Sequence, residues 1–348
     1  MKAKVNGMRA LPELKKKLRF ARSFLRNRLL HVNLQVLYSC NYRCAICDFW
    51  KPSWRQKASL SAAQVEVISE KLNLLGPQII SIGGGEPMLH PELTAIVRTL
   101  ARHHFPVMIT NGSLVTPELA RELFASGMVE ISVSVDYADS HKHDAQRGMA
   151  GAHMRAIEAL KVLQANRTHP VQRVNMISVI MDDNLPEVEP LLETCRQLGI
   201  TYLVTLYSHS RGTKPERPAG DISEQLLAIK RRHRQFVALR GYLGKFTEAA
   251  VQKGIGPCYA GRNLCNIDSQ GDVGLCIDRL EDPVGNILTD DVFALERRLL
   301  ERHRSNLCRD CWTSCRGSIE AVRHGRGKLA NLMDYYQMTR PVALKDAF

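Results

Sequence analysis

Between Val32 and Leu206, six short runs of apolar, largely β-branched residues alternate with five longer stretches of helical spacing. The runs are Val32–Leu37, Ile79–Ile82, Val107–Ile109, Ile131–Val135, Val174–Ile180 and Tyr202–Leu206. Between them, apolar residues recur three and four apart in Ser61–Leu75, Pro91–His103, Pro117–Ser126, Ala152–Ala165 and Pro186–Leu198. Ser61 reads as an N-cap, and Pro91 and Pro117 as first-turn residues. Strand and helix in strict alternation require crossover connections, and therefore a parallel sheet covered by helices. A closed eight-unit barrel needs about 250 residues. The alternation here spans about 180 residues, so it predicts an α/β fold, a partial (β/α)6 TIM-like barrel.

Composition places limits around that core. The chain has 348 residues, 45% hydrophobic and 24% charged, which excludes wholesale disorder. No apolar run approaches the ~20 residues of a spanning helix, and the basic N-terminus has no apolar stretch of the secretory kind. The expectation is a soluble cytoplasmic protein. Ser208–Gly220 is polar and rich in Gly and Pro and reads as a boundary loop. The predicted parts are a basic amphipathic helix at 1–31, the barrel at 32–215, a helical connector at 216–253, a small cysteine-rich domain at 254–317, and a tail at 318–348.

Ten cysteines carry the chemistry, and nine fall into tight groups, with only Cys195 isolated at an apolar helical position. Without an export signal, such clusters point to metal rather than to disulfides. Cys40, Cys44 and Cys47 follow directly after the first strand, where loops of a parallel barrel build catalytic sites. Three thiolates on one loop can hold three corners of a cubane and leave one iron open. Spacing alone also permits a zinc site, which would take a fourth ligand such as His90 from another loop. After the second strand comes Gly83-Gly84-Gly85-Glu86-Pro87.

The C-x3-C-x2-C loop after strand one, followed one βα unit later by GGGEP, resembles the radical S-adenosylmethionine (radical SAM) superfamily. The resemblance implies a [4Fe–4S] cluster on Cys40, Cys44 and Cys47, whose open iron chelates S-adenosylmethionine. It implies that Gly83, Gly84, Gly85, Glu86 and Pro87 hold the methionyl amino group, where glycine admits close backbone approach and a carboxylate suits an ammonium. Asn111, in Thr110-Asn111-Gly112 after strand three, joins that site. Ser134 is implied to meet the ribose, and Arg147 the S-adenosylmethionine carboxylate. Ile46 takes the position beside the adenine that is often aromatic in the family. One electron then cleaves the sulfur–C5′ bond to give methionine and a 5′-deoxyadenosyl radical, which takes a hydrogen atom from substrate. A flavodoxin or ferredoxin is the implied reductant.

Cys258, Cys265, Cys276, Cys308, Cys311 and Cys315 form the second group. With Gly271 five residues before Cys276 and Gly285-Asn286-Ile287 beyond it, this region resembles the SPASM and twitch extensions that bind auxiliary clusters. Two fully thiolate-ligated clusters need about eight cysteines and one needs about four. Six therefore favour a single auxiliary [4Fe–4S] cluster, with two incompletely ligated clusters or a zinc knuckle as the other readings. Asp278 either takes a proton during substrate oxidation or caps a turn. Tyr207 and His209, after strand six, are candidates to touch substrate.

Charge is unevenly placed. Residues 1–31 hold ten Lys or Arg and one acid, a balance of +9 out of +13 for the chain. Leu11, Leu14, Leu18, Ala21, Leu25 and Leu29 form an apolar stripe among these charges. Three readings follow: a helix packed on the barrel by its leucines, an anchor on an anionic membrane surface, or a site for acidic peptide or RNA. Nucleic acid is disfavoured, because no aromatic-interleaved basic element accompanies the charge. Only 39 residues precede Cys40, too few for a leader-binding domain, so a peptide substrate would need a separate recognition protein. The expectation is a radical SAM enzyme acting on a C–H bond of a peptide, lipid or small metabolite. The alternative is a non-catalytic iron–sulfur or zinc protein on the same fold.

Overall fold

The computed structural model describes residues 2–208, 211–213, 218–252, 254–324 and 328–339, so His209 lies outside the described residues. Helix α1 (Lys2–Leu25) is followed by Asn27 in the left-handed region (φ 55°), which turns the chain into β1 (His31–Leu37). The barrel continues through α2 (Pro52–Arg55), α3 (Ala62–Leu75), β2 (Ile79–Gly84), α4 (Leu93–Ala101), β3 (Phe105–Thr110) and α5 (Pro117–Ala125). It is completed by β4 (Glu130–Ser134), α6 (Ser140–Arg147), α7 (Ala152–Ala165), β5 (Arg173–Ile180), α8 (Val188–Leu198) and β6 (Thr201–Leu206). All six predicted strands are present, and they pair in parallel in the order β6-β5-β4-β3-β2-β1.

Local chemistry starts the helices. Ser61 and Gln64 close a reciprocal capping box at α3, and the Thr116 hydroxyl caps α5 ahead of Pro117. Pro91 is not in the first turn: α4 begins two residues later, after a 3-10 turn at Pro87–Leu89.

The sheet does not end at β1. After α9 (Ile222–Arg232), α10 (Arg240–Leu243) and α11 (Phe246–Val251), the chain returns as β7 (Leu264–Ile267), parallel to β1. Two short antiparallel strands, β8 (Asp272–Gly274) and β9 (Gly285–Asn286), extend it to nine strands. Strand β1, with a neighbour on each side, is buried at all seven positions. Val32, Leu34 and Val36 join the main apolar core, while the alternating Asn33 and Gln35 take the other face.

Helices α12 (Val292–Arg304), α13 (Ser314–Arg323) and α14 (Lys328–Thr339) follow. Helix α13 runs through the predicted boundary at 317/318, and among its described residues the region expected to be a tail also carries α14.

The leucine-packed reading of α1 is corrected. The side that touches the barrel carries Lys16, whose Nζ donates to the Ala101 carbonyl (3.0 Å), and Phe20, edge-on to Phe105 at 5.5 Å. Ser23 is buried, and Arg19 binds Asn73. Leu14, Leu18 and Leu25 face outward, 54%, 62% and 81% exposed. Among the described residues, no helix is long and apolar enough to cross a membrane.

Candidate active site

The loop bearing Cys40, Cys44 and Cys47 leaves the C-terminal end of β1 and is held from two sides. On one side lie the glycines that follow β2. Gly84 has φ +117°, and a Cβ there would sit 1.9 Å from the Leu37 carbonyl oxygen; one on Gly85 would sit 2.0 Å from that of Ser39. Only glycine permits this approach, and it lets the Gly85 and Glu86 amides donate to those carbonyls at 2.9 Å each. On the other side, the end of α6 accepts from the Ala45 amide through the Gln146 carbonyl (2.9 Å) and from the Arg43 amide through that of Arg147 (3.3 Å).

Glu86 is 2% exposed, and its carboxylate accepts from Thr110 Oγ1 (2.7 Å), the Asn111 amide (2.8 Å) and the Met88 amide (3.1 Å). Burial pushes its pKa up, and those donors and Arg147 oppose the rise. Glu86 therefore ties the GGGEP turn, with Pro87 buried in it, to the end of β3. Asn111 passes the link on, its Nδ2 donating to Asn41 Oδ1 at 2.8 Å, on the cysteine loop. Arg147 is buried, ion-paired with Asp136 at 2.5 Å, and its Nη1 lies 4.0 Å from Cys44 Sγ; its Nε has no partner. Ser134 ends β4, half-buried. Ile46 packs with Tyr137, Met181 and Tyr207, and Tyr207 donates to the Arg211 carbonyl at 2.6 Å.

Cys258, Cys276, Cys308, Cys311 and Cys315 line one cavity of about 230 Å³ with Asn33, Asp278 and Arg316. Cys265, on β7, is not brought to it: it lies in the main core, 1% exposed. Cys195 is likewise a core residue, 3.8 Å from Met176 Sδ. Burial pushes the Cys258 thiol up to about 12 and raises Cys276, Cys308, Cys311 and Cys315.

Arg316, 2% exposed, stands beside them. It pairs with Glu320 (2.8 Å), donates to the carbonyls of Cys311 (2.6 Å), Pro257 (3.2 Å) and Ile255, and favours the thiolates of Cys258 and Cys311. Soft donors gathered around an internal cation suit an anionic iron–sulfur group, whose irons displace the thiol protons. The first loop fits the same test: burial pushes Cys40 up to about 12, while the Arg147 charge acts to lower Cys44.

Sequence reasoning missed what lies between the two groups. Asp278 is held by Arg211, and Ser208 Oγ is 3.4 Å from it. The Arg211 guanidinium lies 4.9 Å from the Phe49 ring centre and interacts with both Cys47 and Cys276. Phe49, Tyr38 and Trp54 pack edge-on or tilted, 4.9–5.1 Å apart, with Lys57 over Trp54 at 4.8 Å and near Asp268 at 3.4 Å. The Tyr38 hydroxyl is buried without a partner. A lone Arg in a Gly- and Pro-rich loop gives no signal of such a position in the sequence.

The family model of the radical SAM superfamily matches residues 34–195. Mycofactocin maturase MftC of Mycobacterium tuberculosis is 30% identical over 84% of this chain and 78% of its own length. AdoMet-dependent heme synthase of Methanosarcina barkeri is 31% identical, over 47% of this chain. In fold, SuiB of Streptococcus suis bound to its precursor peptide SuiA superposes with TM-score 0.63 at 16% identity, covering 79% of this chain and 67% of its own. anSMEcpe with bound AdoMet gives 0.59 at 13% identity, covering 88% and 96%.

The chain belongs to the radical SAM superfamily, among its members with an auxiliary cluster domain. It is an enzyme of S-adenosylmethionine cleavage and radical chemistry whose cofactors are S-adenosylmethionine and a [4Fe–4S] cluster.

Proposed function

We propose that this enzyme is a peptide maturase that removes a hydrogen atom from one C–H bond of a peptide held between its two cysteine groups. The observation that carries the reading is the reach of the resemblance. The maturase relatives match over 84% of the chain, more than the barrel alone can supply, whereas the heme synthases match 47% and a probable GTP 3′,8-cyclase 34%. The SuiB structure bound to a precursor peptide shares the same two-part fold and supports it.

Bound S-adenosylmethionine and its cluster supply the 5′-deoxyadenosyl radical on receipt of one electron, for which a flavodoxin or ferredoxin is the proposed donor. The rest is the work of the chain. Cys40, Cys44 and Cys47 would hold the cluster through three thiolates, with one iron left for S-adenosylmethionine. Gly83, Gly84, Gly85, Glu86, Pro87 and Asn111 form the wall for the methionyl end. Arg147 offers its unpaired Nε toward a carboxylate, and Ser134 its hydroxyl toward the ribose. Cys258, Cys276, Cys308, Cys311 and Cys315 offer five thiols for one auxiliary cluster of about four ligands. Asp278, oriented by Arg211, is the assigned proton acceptor on the substrate side.

The test is anaerobic turnover with dithionite, S-adenosylmethionine and either short precursor peptides or small alcohols, read by 5′-deoxyadenosine release and product mass. A peptide that raises release and loses hydrogen supports the reading. Stimulation by an alcohol with no response to any peptide overturns it.

A further inference from the structure

From Glu13 to Leu25, α1 shows two unlike sides. The docked side is polar and aromatic: Lys16, Arg19 and Phe20 contact Ala101, Asn73 and Phe105, and Ser23 is buried. Phe24 lies under Arg323 at 4.7 Å, and just past the helix Arg28 pairs with Glu296 at 2.7 Å. At 3.6 residues per turn, Leu14, Leu18, Ala21 and Leu25 fall within about 60° of arc on the opposite side. All four are exposed, and so are Lys15, Lys17, Arg22 and Arg26, which border them. An apolar strip between two rows of cations, on a helix already fixed by its other face, is costly to leave in water. It matches a surface that is apolar below and anionic above.

We propose that α1 seats the enzyme on an anionic lipid bilayer, with Leu14, Leu18 and Leu25 entering the acyl boundary and Lys15, Lys17, Arg22 and Arg26 meeting the headgroups. The charge supports this occupant: residues 1–31 carry +9 of the chain's +13. A second exposed apolar stripe, Leu329, Leu332, Met333 and Tyr336, lies on α14. Helix α14 packs on α13, whose Arg323 touches Phe24 of α1. The contacts of α1 fall at Asn73 and Ala101, in the last turns of α3 and α4, and at Phe105, the first residue of β3, all at the N-terminal end of the strands, whereas the cysteine loop follows the C-terminal end of β1. The bilayer would therefore face the end of the barrel opposite the active site, as a tether and not as the route by which substrate enters.

The experiment is anaerobic co-sedimentation of the full-length holoenzyme with vesicles of phosphatidylcholine alone or mixed with phosphatidylglycerol. Three proteins are compared: the wild type, a Leu14→Ser/Leu18→Ser/Leu25→Ser variant, and a Lys15→Gln/Lys17→Gln/Arg22→Gln/Arg26→Gln variant. The wild type should bind only the anionic vesicles and release at high salt, and each variant should bind at least about tenfold more weakly. Unchanged circular dichroism and basal 5′-deoxyadenosine release report that the variants are folded. Absence of wild-type binding overturns the proposal, and so does undiminished binding of the leucine variant. Self-association of the wild type that the leucine changes abolish, without vesicle binding, would assign the strip to a second copy of the chain.

Discussion

The two cysteine groups reach similar chemistry by opposite routes. The first puts three thiols on eight consecutive residues, and the fold only has to steady one loop, which the β2 glycines, Glu86 and the end of α6 do through backbone contacts. The second draws five thiols from segments nearly sixty residues apart, and its centre is a charged side chain, Arg316, bound to three carbonyls and a carboxylate. A local site is fixed by sterics, where one atom too many is the danger. A dispersed site is fixed by a buried ion, where one charge too few is.

That contrast can be broken most drastically at the first group. Replacing Cys40, Cys44 and Cys47 together by Ala should reduce methionine and 5′-deoxyadenosine release to background, while the iron of the second group remains. Gly85→Ala keeps every ligand but forces a methyl onto the Ser39 carbonyl. Cleavage of S-adenosylmethionine should fall about a hundredfold at normal iron content, and a normal rate would show that the loop is free to give way. At the second group, Arg316→Met should leave Glu320 buried without its cation, costing about 3–5 kcal/mol in urea unfolding. If stability is untouched, the buried ion is not what assembles this region. The smallest effect distinguishes the cysteines themselves. Cys276→Ser should lower iron per chain, whereas Cys265→Ser, in the β7 core, should leave iron unchanged and cost on the order of 1 kcal/mol.

The sequence was most readable where function sits on contiguous residues. The six strands declare themselves because each is apolar at consecutive or alternate positions, and the cysteine loop because its ligands are neighbours. The role of Cys265 was hidden: the motif groups it with the other ligands, but strand alternation places Leu264 on the cavity and Cys265 behind it. Arg211 and Arg316 were equally hidden, since their partners are Asp278 far along the chain and the carbonyls of three separate residues. The covered face of α1 stays open in the sequence for a different reason. Periodicity locates an apolar stripe but does not say which side is covered, and here Phe20, Phe24 and a buried lysine stem do the packing.

Strand β1 is a hinge pin of the whole molecule: β2 lies along one edge, β7 along the other, and the catalytic loop springs from its end. The cysteine-rich region is consequently no detachable module. A barrel cut at 253 would leave β1 as a bare edge strand, an invitation to aggregate, next to the loop that carries the first cysteines. By the same token, the two cysteine groups are joined through a single shared register, His31 against Ile79 and Leu264, as well as by the connecting chain. Electron flow between them would run over a path of fixed length, and substrates would have to fit that gauge rather than bend it.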